Sequence, residues 1–206
     1  MPSPQETPAR AVILDLPKIE LHVHLEGSTK PETLLRLAER NRIENLPRTL
    51  PEFEEFYRFT DFSHFVRVYV AVTRCMKEAE DLRDLAYDFA IGQAEQNVIY
   101  TEATYTALTV EQECGIPWDE QRDALTAGLS EAREETGAEV RLILDTCRNF
   151  DPVRSARNLE WVRQGGIVAG MGLSGVEGEP ASFLDLSRGA RGGDCDHGSR
   201  GRDARS

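Results

Sequence analysis

Four short β-rich runs alternate with longer segments of helical period, and this alternation narrows the fold more than any other feature of the chain. The runs are the segment carrying His22-Val23-His24, then residues 98–105, 140–146 and 166–175. Residues 33–41, 66–77, 79–96, 118–135 and 152–164 carry apolar side chains at helical spacing. A strand-helix-strand repeat predicts a parallel sheet with right-handed crossovers. A barrel and a doubly wound sheet both satisfy it. Polar or ionisable residues fall at the ends of the runs: His24 and Glu26, Glu102 and Thr104, Asp145 and Arg148, Ser174 and Glu177. That is where α/β folds build their sites. Glu102 and Asp145 either face the mouth or pair with Arg148, and the sequence leaves both open.

In the first run, side chains two apart point to the same face of a strand, so His22 and His24 can grip one cation. Gly27 then predicts a turn, and Thr29 with Glu32 forms a capping-box pattern that opens a helix. Phe53, Phe56, Phe59, Phe62 and Phe65 recur every third residue, which predicts an aromatic helical stripe turned to the core. His64, inside that stripe, reads as a surface or packed histidine. The acidic runs 52–55 and 131–135 read as solvated helix faces.

A formal charge of -12 and a pI near 4.9 argue against a nucleic-acid partner, which requires clustered Lys and Arg to neutralise phosphates. No run reaches the roughly 18 to 20 apolar residues that span a bilayer, and residues 1–10 lack the apolar stretch of a secretory signal. A cytoplasmic protein with no membrane partner is the expectation. Cys75, Cys114, Cys147 and Cys195 form no C-x-x-C pair, so reduced thiols are expected. The same absence excludes the zinc deaminases that use P-C-x-x-C. Residues 1–11 predict a disordered tail, and 12–183 a folded body. Residues 184–206 carry five Arg against four Asp and, from Ser187 on, no Leu, Ile, Val, Phe or Met, which predicts a second disordered tail. The Cys195-x-His197 spacing within it reads as chance.

The first run, Leu16-Pro17-Lys18-Ile19-Glu20-Leu21-His22-Val23-His24-Leu25-Glu26-Gly27, resembles over twelve consecutive positions the opening stretch of the adenosine deaminase family. The likeness continues more weakly. Residues 98–102 look like that family's second barrel strand, Arg148 stands where its third strand ends, and Gly172-Leu-Ser-Gly-Val-Glu177 is similar to its Asp-Leu-Ala-Gly-Asp-Glu. The resemblance implies an α/β fold, the first four β/α units of a TIM-type (β/α)8 barrel. It also implies one zinc ion with His22 and His24 as two of its ligands, and hydrolytic removal of the exocyclic amine from a purine nucleoside or base. By the same resemblance Glu26 contacts the substrate's sugar side and the Gly175 backbone N–H contacts the purine ring. Thr104, Gly172 and Val176 depart from the Arg, Asp and Asp common in adenosine deaminases, which leaves adenosine the leading substrate among several adenine compounds.

The family's His-Ala-Gly-Glu, which brings a third His and the catalytic acid, is absent from the chain, as are its later His and Asp pair. The expectation is therefore a truncated or frame-shifted product that leaves the family pattern near Phe183. It would be inactive alone, with an open half-barrel prone to aggregate, to self-associate or to bind an intact subunit. A phosphoesterase of the PHP type, whose barrels also begin with His-x-His, is the alternative enzyme. A non-catalytic fragment is the alternative from another class.

Overall fold

The computed structural model describes residues 8–44, 46–148 and 150–175. The expected tail at 184–206, the Cys195-x-His197 pair, Val176 and Glu177 lie outside them, as do residues 1–7. Helix α1 spans Pro8–Asp15, so regular structure begins within the expected N-terminal tail. Strand β1 (Lys18–His24) leads into a short 3-10 turn at Glu26–Ser28, followed by α2 (Pro31–Arg40), α3 (Leu50–Phe56), α4 (Phe62–Thr73) and α5 (Ala79–Glu95). Then come β2 (Val98–Tyr105), α6 (Ala107–Cys114), α7 (Trp118–Thr136), β3 (Glu139–Cys147), α8 (Pro152–Gln164) and β4 (Val168–Ser174).

All three strand pairs are parallel and the order is β1-β2-β3-β4. A doubly wound sheet reverses its strand order at a switch point. This one does not, so of the two architectures left open the barrel type stands. With every crossover of one hand, the helices cover one side of the sheet. On that outer side Ala103, Tyr105, Leu142, Leu144 and Val168 pack against Leu82, Leu85, Ala86 and Phe89 of α5, Leu125, Leu129 and Ala132 of α7, and Trp161 of α8. Helices α5 and α7 approach so closely that a Cβ on Gly128 would lie 2.3 Å from the Arg83 carbonyl oxygen, a backbone atom that cannot swing away. A smaller core joins Leu34, Leu37, Phe53, Val68 and Val72 within the helices inserted after β1.

Three local expectations change. The phenylalanine stripe is not one helix: α3 ends at Phe56 and α4 starts at Phe62, where Asp61 caps by accepting from the His64 N–H at 2.7 Å. Only Phe53 of the five is fully buried, while Phe59 and Phe62 are exposed. The Thr29–Glu32 box does not form, because Pro31 occupies the first turn of α2 and Thr29 Oγ1 donates instead to the Glu26 carbonyl at 2.7 Å. Helix α6 has no counterpart in the sequence reading. Strand β1 has no neighbour on its far side among the described residues, and Ile19 and Leu21 lie exposed there. No helix among the described residues is long and apolar enough to cross a membrane.

Candidate metal and purine site

Opposite the helices, the inner faces of the strands line an open cavity of about 330 Å3. Its walls include His22 and His24 from β1, Glu102 and Thr104 from β2, Ile143 and Asp145 from β3, and Gly172, Leu173 and Ser174 from β4. Strand alternation explains the division. On β2 and β3, Ala103, Tyr105, Leu142 and Leu144 point to the helices, so Glu102, Thr104, Ile143 and Asp145 point inward.

The two imidazoles stand side by side, ring centroids 5.9 Å apart and tilted by 39°. His24 packs edge-on against Tyr69 at 6.0 Å, and its Nδ1 is buried with no hydrogen-bond partner among the described residues. A buried ring nitrogen without a partner fits a metal ligand or a proton donor to a bound molecule. The pair therefore fits a metal in part. A catalytic zinc takes three protein ligands, and among the described residues no three His, Cys, Asp or Glu stand close enough to hold one.

Glu26, expected at the substrate, is fully buried behind the cavity wall. Its Oε1 accepts from the Thr106 N–H at 2.8 Å and the Thr106 hydroxyl at 2.5 Å, which ties the turn after β1 to the turn after β2. Its Oε2 has no partner among the described residues. Burial pushes its carboxyl above the ordinary range, against the lowering effect of the Thr106 hydrogen bonds. The Tyr69 hydroxyl, 3.4 Å from Thr106 Oγ1, is likewise held well above its usual value by burial and by Glu26. Gly175 follows β4 directly with φ +104°, and a Cβ there would lie 3.2 Å from the Arg148 nitrogen, so glycine is the residue the position accepts.

Of the strand-end residues left open by the sequence, both carboxylates line the cavity. Glu102 accepts from the Tyr100 hydroxyl at 3.1 Å, and Asp145 is buried with its Oδ2 unpartnered among the described residues. Thr106 and Tyr69, which hold Glu26 and flank His24, escaped the sequence reading. Glu26 and Thr106 are 80 residues apart, and no local spacing announces such a contact.

Residues 17–188 match the family model described as Adenosine deaminase. The chain is 34% identical over 165 residues to the aminodeoxyfutalosine deaminase of Acidothermus cellulolyticus, covering 79% of this chain and 46% of that one. It is 32% identical over 181 residues to the adenine deaminase of Stutzerimonas stutzeri, covering 86% and 57%. The crystal structure of an amidohydrolase from Burkholderia ambifaria with bound Zn superposes with a TM-score of 0.78 at 28% identity, over 89% of this chain and 52% of that one. The chain spans about half the length of the curated relatives it matches.

Proposed function

Because the chain belongs to the adenosine deaminase family, we propose that it carries the N-terminal part of a site for hydrolytic deamination of adenine, adenosine or a related adenine compound. The observation that carries this reading is the His22–His24 pair, set side by side on the wall of a polar cavity and inside the twelve-residue family stretch. His22 and His24 hold one zinc ion. Zinc at such a site acidifies a water toward a pKa of about 7 and so supplies a nucleophile at neutral pH. Tyr69 fixes the His24 ring from the side, and Thr106 with Glu26 locks the two turns that frame it. Gly175 presents its backbone N–H to the purine ring, while Glu26, fully buried, acts from behind the wall through its hold on Thr106.

The general acid of the reaction has no candidate in the family motif, since the chain contains no His-Ala-Gly-Glu. The chain's location is the cytoplasm, in keeping with the free thiols of Cys75, Cys114 and Cys147. The exposed Ile19 and Leu21 on β1, whose far edge is unpaired among the described residues, favour self-association.

The test is zinc titration followed by calorimetry with adenine and adenosine, alongside an ammonia-release assay. One zinc per chain and purine binding that depends on zinc are expected. Failure to bind zinc and purine overturns the site. Sustained ammonia release supports the deaminase chemistry, and turnover of a phosphate monoester favours the phosphoesterase chemistry instead.

A further inference from the structure

Two carboxylates of the cavity have no role in the chemistry above, and of these Glu102 is held by the Tyr100 hydroxyl while Asp145 is not so answered. Asp145, near the end of β3, is 3% exposed, and its Oδ2 has no hydrogen-bond partner among the described residues. Its main chain, in contrast, is fixed from the helical side. The Asn158 side-chain amide on α8 donates to the Asp145 carbonyl at 2.8 Å and to Thr146 Oγ1 at 2.9 Å. The strand is thus pinned from outside while a carboxylate oxygen stands unanswered inside. Burying such an atom without a partner is costly, and where a fold does so the atom marks a place for a donor or a cation.

Gly172 is what lets Asp145 lie there. The two residues are partners in the register of β3 and β4. A Cβ on Gly172 would come within 3.0 Å of Asp145 Oδ1, tighter than ordinary contact, and within 3.4 Å of the Ile143 side chain. The space that a side chain at 172 would fill is occupied by the carboxylate of residue 145.

We propose that Asp145 is a positioning residue for the cation held by His22 and His24, supplying a carboxylate from β3 on the cavity wall that the three residues share. The inference rests on the metal-binding part of the proposed function. Since no three ligands stand together among the described residues, Asp145 acts without joining the imidazoles as a preformed third ligand. It sets a carboxylate on the cavity wall and offers an acceptor to the cation's surroundings. Partners of that kind tune metal affinity by about 10- to 100-fold.

The experiment measures Zn2+ affinity of the 206-residue chain by competition with a chromophoric chelator, with circular dichroism and melting to verify folding. Asp145→Asn keeps the shape and removes the charge, and zinc affinity is expected to fall about tenfold. The double variant Asp145→Gly with Gly172→Asp moves the carboxylate to the register partner on β4, and affinity is expected to recover to within about threefold of the starting chain. A purely structural role for Asp145 would not be rescued from another strand. Unchanged affinity in Asp145→Asn, or no recovery in the folded double variant, overturns the inference. His24→Ala keeps the two levels apart. If it abolishes binding while Asp145→Asn does not, only this inference falls. If neither variant matters, the His22–His24 metal site falls and takes the inference with it.

Discussion

Asp81 and Asp145 are both buried aspartates, one in the helical layer and one in the cavity wall, and the chain treats them in opposite ways. Asp81 is satisfied on every side. Its Oδ2 accepts from the Lys77 N–H at 2.7 Å, the Glu78 N–H at 3.0 Å and the Asn41 side chain at 2.8 Å, and Arg40 pairs with its Oδ1. It also completes a capping box that starts α5 with Glu78 as the cap. Asp145 has its backbone secured and its Oδ2 left alone. The lesson is one of purpose. Where a buried carboxylate serves only the fold, this sequence surrounds it with donors. The described residues hold four buried side-chain atoms without partners, and three of them belong to His24, Glu26 and Asp145 at the strand ends.

Breaking the satisfied member should cost most. Asp81→Ala leaves two backbone N–H groups at the start of α5 without their acceptor, and removes one partner each from the Asn41 amide, which keeps the Cys75 carbonyl, and from Arg40, which keeps Asp84. A loss of about 3 kcal/mol in unfolding free energy is expected, at the low end for a broken buried pair because Arg40 is partly exposed. Urea denaturation checks it, and a loss below about 1 kcal/mol would mean the network adds little.

The same residue sharpens the comparison through pH. Burial alone would raise the Asp81 carboxyl, but the hydrogen bonds from Lys77, Glu78, Asn41 and Arg40 outweigh it and hold the group below its ordinary value of 3.8. A depressed folded-state pKa contributes stability that is present above the unfolded value and lost as pH falls through the folded one. The stability gap between the chain and Asp81→Asn should therefore be constant above about pH 5 and shrink below about pH 3.5. Melting curves across pH 3 to 7 measure it. A gap that does not narrow in acid would show that the charge of Asp81 contributes nothing.

The sequence announced the frame of this comparison but not its content. Strands β2, β3 and β4 and helices α5, α7 and α8 were legible because each carries one clean period and a turn or cap at its ends. Helix α6 was not. It is eight residues long, starts two residues after β2, and offers only Ala107, Leu108 and Val110 as buried apolar positions. The phenylalanine spacing misled because an every-third-residue pattern runs on unbroken across the turn at Tyr57–Asp61, although Thr60-Asp61 already held the capping signal for α4. At the site, His22 and His24 were readable because two residues apart on one strand means one face. Asp145 was visible as a strand-end carboxylate, but its relation to Gly172 depends on the register between β3 and β4, a long-range quantity that no local pattern encodes. The hold of Thr106 on Glu26 is hidden for the same reason.

The smallest expected effect on stability is also the one that separates the two aspartates. If Asp145 is placed for a ligand and not for the fold, removing its charge in metal-free solution should leave stability within about 1 kcal/mol of the starting chain. Asp145→Asn leaves the backbone carbonyl that Asn158 holds, and it keeps the volume that fills the space above Gly172. It also relieves the burial of an ionised group, so the change should lie on the stabilising side. Adding zinc should reverse the order, because a ligand stabilises the folded state in proportion to its affinity and the variant binds it more weakly. Thermal melts with chelator and with zinc test both halves. A metal-free loss as large as that of Asp81→Ala would make Asp145 a structural residue like its counterpart and would erase the distinction between the two regions.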